Sequence, residues 1–341
     1  MSHYKLALLG FGNVGRALAR LLLQKQKELQ DSFGLTFSVT GIATGTHGTA
    51  INPDGLNLEL ALAAVESGSS LDEFSKLAPV ADAFDFIRRC QAQVLFENTP
   101  VNYQSGQPAL AHLSTALKFG MYAITANKGP VVHGYRELAE LAHSKGVKFY
   151  FEATVMDGAP IFSLYREALP AARLSAFKGI LNSTTNMILT RMERGESFNQ
   201  AVAYAQKIGI AETDPSGDID GWDAAVKVAA LATVLMDTPL KPAQVERQGI
   251  RHITMEDIEQ ARAEKKRWKL VCSALRHDNG VEARVRPEKV GAESPLYNVE
   301  GTTSIVQFVT DVLGVLSVIE QDPGPNTTAY GLFADFLNAV R

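Results

Sequence analysis

The stretch Lys5-Leu6-Ala7-Leu8-Leu9-Gly10-Phe11-Gly12-Asn13-Val14-Gly15 decides how the first half of this chain folds. A short, mostly apolar run meets Gly10, Gly12 and Gly15 in the pattern G-x-G-x-x-G, and residues 16–23 then place apolar side chains at helical spacing. Strand, glycine turn and helix follow in that order. Gly10 permits the tight turn, Gly12 lets the backbone approach a pyrophosphate, and Gly15 lets the helix pack on the strand. The N–H groups at that helix start, together with its dipole, favour an anion. The pattern alone is weak, but a strand before it and an amphipathic helix after it predict a dinucleotide site formed by Gly10, Phe11, Gly12, Asn13, Val14 and Gly15.

Outward from the turn, a second strand is predicted over residues 36–43, and further strands over 94–97, 121–125 and 148–152. Helices are predicted over 107–119 and 135–144, with a short helical piece at 71–77. This alternation argues for a doubly wound sheet to about residue 152. The second half differs, with strands over 173–180, 268–275, 281–285 and 303–309 and helices over 185–194, 198–208, 221–236 and 254–266. A last helix is predicted over 331–340. The expected class is therefore α/β: a Rossmann-type doubly wound parallel sheet plus an α+β catalytic and dimerisation domain with an open mixed sheet. The expected boundaries are 1–152 and 153–321, with a terminal helix at about 322–341 returning to the first domain.

The chain has 341 residues, enough for two domains. With 46% hydrophobic and 21% charged residues it has an ordinary globular composition. A formal net charge of −4 argues against a nucleic-acid partner, since phosphate binding needs a basic patch. The short basic run Lys265-Lys266-Arg267 reads as a solvated helix face. Cys90 and Cys272 are too few for a disulfide framework and form no zinc pattern, so both read as buried thiols. The first apolar run is too short for a signal peptide, and no uninterrupted apolar run reaches the roughly 18 residues of a membrane span. A cytoplasmic protein is the expectation.

Five carboxylates crowd residues 212–227: Glu212, Asp214, Asp218, Asp220 and Asp223, with Lys227 closing the segment. Asp220 suits an N-cap and Asp223 the first helical turn. Asp223 and Lys227 stand four residues apart, so they share a helix face. The helix onward is almost wholly apolar, so Lys227 either enters a buried stretch or ends a surface ion pair. A buried lysine should titrate nearer neutrality, which suits acid–base work between an alcohol and a carbonyl. Lys128 closes the strand predicted at 121–125, on the sheet edge where ligands of open α/β sheets bind. The end of the second strand holds neither the acidic residue that favours NAD nor an arginine for NADP. Thr46 and His47 can reach a 2′-phosphate, a slight lean to NADP.

These segments, with 152–155, 179–186 and 328–331, occur in the order found in the homoserine dehydrogenases, which the chain resembles over nearly its whole length. The resemblance implies an NAD(P)-dependent interconversion of L-homoserine and L-aspartate 4-semialdehyde in the biosynthesis of threonine, methionine and isoleucine. It gives Lys227 the acid–base role, with Asp223 beside it. It assigns Glu212, Thr184, Asp218 and Lys128 to substrate, and Thr99, Lys128 and Gly324 to the cofactor, NADP or NAD. It also implies a structural sodium ion held largely by backbone carbonyls at Glu152, Val155, Asp157 and Ala159, and a homodimer. Met156-Asp157 and Ser183 depart from the family pattern, as does the turn at 322–327. Neither an aspartokinase nor a regulatory domain is expected. A dehydrogenase of another small amino or hydroxy acid, and a non-catalytic dinucleotide-binding module, are the alternative readings.

Overall fold

The computed structural model describes all 341 residues and divides them into two compact units, Met1–Pro160 with Gly324–Arg341, and Ile161–Pro323. The first unit is built on a six-stranded sheet. In chain order its strands are β1 (Ser2–Leu9), β2 (Leu35–Ala43), β3 (Thr49–Ile51), β4 (Val94–Glu97), β5 (Tyr122–Thr125) and β6 (Phe149–Tyr150). The spatial order is β3-β2-β1-β4-β5-β6, parallel except for β3. Reversal of strand order beside β1 creates the crevice where such sheets take ligands. The crossover helices are α1 (Asn13–Phe33), α2 (Leu58–Glu66), α3 (Ala83–Arg89), α4 (Ala109–Lys118) and α5 (Lys128–Ser144).

Helix α1 buries Ala17, Leu18, Leu22 and Leu29 and stops at Gly34, whose left-handed backbone (φ 62°) returns N–H groups to the last turn. The C-terminal helix, Pro325–Val340, packs on α1. Its Phe336 ring meets Phe96 of β4 and Tyr4 of β1 edge-on, at centroid distances of 6.2 and 6.1 Å.

The second unit carries β7 (Leu174–Ile180), β8 (Glu246–Arg247), β9 (Lys266–His277), β10 (Gly280–Gly291), β11 (Ser304–Thr310) and β12 (Gly314–Glu320), in the spatial order β12-β11-β7-β9-β10-β8. All these pairs are antiparallel except β8 with β10. Its helices are α6 (Ser183–Glu193), α7 (Phe198–Lys207), α8 (Ser216–Ile219), α9 (Trp222–Leu235) and α10 (Met255–Ala263). Helix α9 buries ten of its residues, in keeping with its apolar composition all round. No helix is long and apolar enough to cross a membrane.

Several local expectations give way. The piece at 71–77 is one 3-10 turn, Asp72–Phe74, and the strand at 148–152 shrinks to Phe149–Tyr150 because Glu152 opens another such turn. Helix α5 starts at Lys128, seven residues before the expected start, because Pro130 falls in its first turn, where a missing N–H costs nothing. The run 265–267 is no helix face. Lys265 takes a left-handed conformation (φ 56°) that ends the helix, and Arg267 lies in β9, bonded to Glu300.

Candidate active site

In the first unit the glycine turn is shaped by three different contacts. Gly10 has φ 99°, and a Cβ there would sit 2.4 Å from the Asn98 carbonyl oxygen. A Cβ on Gly15 would sit 2.4 Å from the Gly10 carbonyl oxygen. A Cβ on Gly12 would meet nothing within 4 Å. The protein itself therefore demands Gly10 and Gly15, whereas Gly12 keeps open the space over the start of α1, as a cradle for a pyrophosphate requires. No acidic residue occupies the first turn of α1, and no side chain caps its N–H groups. Phe11 is buried, Val14 is half-buried, and Asn13 accepts from Arg16 at 2.9 Å.

Beside this turn lies a cleft of about 370 Å³, lined by Gly10, Thr44, Gly45, Asp82 and Thr99 among others. Its lining holds one carboxylate, Asp82, and no lysine or arginine. Thr46 and His47 are not in it; they hydrogen-bond to each other at 2.8 Å on the surface.

A polar network backs the cleft at the carboxyl ends of β4 and β5. Glu97 is fully buried and accepts from the Thr99 hydroxyl, with His112 Nδ1 3.4 Å away. Asn127 caps α5 by accepting from the Gly129 N–H at 3.0 Å and donates to the Thr99 carbonyl at 3.1 Å. One amide thus ties the Thr99 backbone to the first turn of α5, where Lys128 is half-buried. Both side-chain polar atoms of Asn98 are buried without a partner, a cost that a bound polar group can relieve. No local pattern singles out Glu97, Asn98, His112 or Asn127, whose partners lie in separate segments.

The positions assigned to sodium lie in the loop after β6. Glu152 and Val155 are buried, Ala159 donates its N–H to the Met156 carbonyl at 2.8 Å, and Asp157 has φ 41°. Both Asp157 carboxylate oxygens accept from hydroxyls, Thr328 at 3.0 Å and Thr327 at 3.3 Å. Gly324, extended and leading into the C-terminal helix, has its carbonyl bonded to those same hydroxyls.

In the second unit the turn from β7 to α6 meets the start of α9. Asp223 Oδ2 lies 3.3 Å from Lys227 Nζ, and their side chains are 10% and 15% exposed. The ion pair is therefore close to buried, which removes the surface-pair reading. The ammonium also donates to the Leu181 carbonyl at 2.6 Å. Asn182 donates to Asp218 at 2.6 Å and to Asp223 at 3.0 Å. The Thr184 hydroxyl donates to the Ile210 carbonyl at 3.0 Å and lies close enough to Asp218 to favour its ionised form. Burial, reinforced by the Asp223 charge, holds the Asp218 carboxyl above its ordinary range. Lys227, Asp223, Asp218 and Thr184 thus come together; Glu212 is exposed on the loop after α7.

Asp220 is not the cap of α9. It closes α8, pairs with Arg251, and leaves the N-cap to Gly221, whose backbone is left-handed at φ 79°. Both thiols are buried, and burial pushes Cys90 up to about 11 and Cys272 up to about 12, far from a nucleophile's range.

Residues 10–152 match the model of the homoserine dehydrogenase NAD-binding domain, and residues 160–337 match that of homoserine dehydrogenase. An NAD(+)-dependent homoserine dehydrogenase of Pseudomonas canavaninivorans is 35% identical, covering 99% of this chain and 96% of its own. Homoserine dehydrogenase of Methanocaldococcus jannaschii is also 35% identical, with 97% of each chain covered. Among solved structures, a putative homoserine dehydrogenase of Archaeoglobus fulgidus superposes with a TM-score of 0.86 at 30% identity, over 98% of both chains. A hyperthermophilic archaeal homoserine dehydrogenase in complex with NADPH superposes at 0.84 and 29% identity, over 99% of this chain and 98% of the other.

Proposed function

This chain belongs to the homoserine dehydrogenase family, and we propose that Lys227, as the neutral amine, takes the hydroxyl proton when homoserine is oxidised to aspartate semialdehyde and becomes the ammonium that Asp223 and the Leu181 carbonyl hold. The protein is an NAD(P)-dependent oxidoreductase acting on a CH–OH group. A nicotinamide held at the glycine turn would supply the hydride acceptor for the terminal carbon of the substrate. The remaining work falls to this chain's side chains: binding both ends of an amino acid, orienting its hydroxyl, and moving one proton.

The observation that carries the reading is the nearly buried Asp223–Lys227 pair with its ammonium held on the Leu181 carbonyl. An amine fixed by two partners is aimed, and orientation supplies much of a rate enhancement. In this reading Asp218 and Glu212 receive the substrate ammonium and Thr184 its carboxylate, and Lys128 is assigned to substrate and cofactor binding on its own unit. Gly10, Gly12, Gly15 and the start of α1 hold the pyrophosphate; Thr99 and Gly324 lie along the rest of the cofactor. The cleft lined by Asp82 and lacking a cation takes the 2′-hydroxyl of NAD in preference to the 2′-phosphate of NADP.

Carbonyl oxygens of Glu152, Val155, Asp157 and Ala159 are ligands a hard cation can use. The Asp157 carboxylate is already engaged by two threonines, so any ligand from it is its carbonyl. No catalytic step passes through that loop.

A homodimer is proposed on the outer face of the second sheet. Val315, Val309, Ala176 and Leu275 stand opposite one another across four strands. Val315 is 60% exposed and Leu275 45%. Such an apolar row reaching the edge strand β12 suits a self-complementary contact with a second copy. Initial rates with homoserine, malate and lactate, each with NAD and NADP, test the whole reading; homoserine must be the preferred substrate.

A further inference from the structure

We infer that Asn182 is a positioning residue, whose side-chain amide sets the protonation of Asp218 and the orientation of Asp223 and hence of Lys227. This inference rests on the acid–base reading of Lys227.

Asn182 is 4% exposed, and its side-chain hydrogen bonds use both ends of the amide. The nitrogen donates to Asp218 Oδ1 at 2.6 Å and to Asp223 Oδ2 at 3.0 Å. The oxygen accepts from the Thr185 N–H and the Thr185 hydroxyl, both at 2.8 Å. A primary amide has two donors and two acceptor sites, so all four are filled. Turning the amide over would aim its oxygen at two carboxylates and its hydrogens at two donors. Its orientation is therefore fixed by its neighbours rather than by its own rotamer preference.

The neighbouring residue completes the arrangement. Leu181 offers its carbonyl to the Lys227 ammonium at 2.6 Å, while Asn182 offers its amide to the Asp223 carboxylate. Two consecutive residues of one turn thus hold the cation and the anion of one ion pair. The charged groups facing the amide are Asp218 from α8 and Asp223 and Lys227 from α9. Cys272 of β9 also faces this group, with its thiol kept neutral by burial.

Two carboxylates sharing a buried site repel, and one of them takes a proton unless something intervenes. The bond from Asn182 is the foremost of the influences that keep Asp218 ionised, ahead of Thr184 and Lys227. A protonated Asp218 has no charge to offer a substrate ammonium. A released Asp223 no longer fixes the amine.

The test uses two variants that keep the helix cap, since serine and aspartate both cap well. Asn182→Ser removes the shared donor, and Asn182→Asp replaces it with a third carboxylate. Steady-state pH profiles for homoserine oxidation are measured with thermal unfolding alongside. The expected result is a kcat lowered roughly tenfold or more in both variants. The acid limb of kcat/KM moves up, by about one pH unit or more in Asn182→Asp. Cofactor KM stays within about twofold of the wild type, because the glycine turn belongs to the other compact unit. Folded variants with wild-type kcat and an unmoved acid limb overturn the inference. Should the aspartate variant fail to fold, the serine variant carries the test, since it adds no charge. Wild-type turnover is recorded first, so failure of the dehydrogenase reading shows up there instead.

Discussion

Asp223 Oδ2 lies 3.3 Å from Lys227 Nζ, one helical turn along α9, where both side chains are almost closed to solvent. Removing one partner leaves a charge in a place built for two. Asp223→Ala is expected to cost about 3 kcal/mol of stability, the lower end for breaking a buried pair because some exposure remains. Turnover should fall with it. Thermal unfolding and homoserine oxidation measured on the same preparation check both; an unchanged melting temperature would place the pair in water.

Gly12 and Gly15 of the first turn should fail in different ways. Gly12→Val leaves stability within about 0.5 kcal/mol of the wild type, because its side chain enters open space. It should weaken cofactor binding at least about tenfold by filling the pyrophosphate cradle. Gly15→Ala puts a methyl group 2.4 Å from the Gly10 oxygen and should lose about 1–3 kcal/mol. Calorimetric titration of NAD into each variant separates the two effects. Equal loss of stability in both would contradict the assignment.

Asp218 carries a raised pKa from burial and from Asp223, and the sign of its effect on stability follows. In the unfolded chain the carboxyl ionises near 3.8; in the fold it does so at higher pH. Between those two values the native state binds more protons, so stability falls as pH rises through that window. Asp218→Asn should therefore melt higher than the wild type above the window, with the advantage fading below pH 3.8, while its KM for homoserine rises. A variant less stable at neutral pH would show that the carboxylate is not under strain.

The fold was largely legible because it depends on short-range order. Gly10, Gly12 and Gly15 directly follow an apolar strand, and the apolar run through α9 needs burial wherever it sits. The polar network behind the cleft was not legible. Glu97 is the last residue of β4, and its partners Thr99, His112 and Thr125 come from three separate segments. Asp220 shows the same limit: a capping rule reads only its neighbours, whereas Arg251 claims it from 31 residues away. The start of α5 differs for another reason: the helix expected from residue 135 begins at Lys128, because its first turn tolerates Pro130.

Cofactor choice should follow the charge of the cleft. NAD is expected to exceed NADP in kcat/KM by about tenfold or more, since a 2′-phosphate there meets Asp82 and no cation. Asp82→Asn keeps the cap of α3 and should narrow the gap several-fold. A wild-type preference for NADP would contradict this assignment.

The apolar row on β12, β11, β7 and β9 makes a prediction about assembly. Val315→Lys should convert a dimer to monomers in sedimentation at micromolar concentration, because an unpaired charge would be buried at the contact. An unchanged mass would place the interface elsewhere.

The most direct test of the acid–base assignment is the pH profile of homoserine oxidation by Lys227→Ala. We expect kcat to fall by about 10²–10⁴ with NAD affinity unchanged, and the limb that reports the amine to vanish. Near wild-type turnover with the same pH dependence would contradict the account.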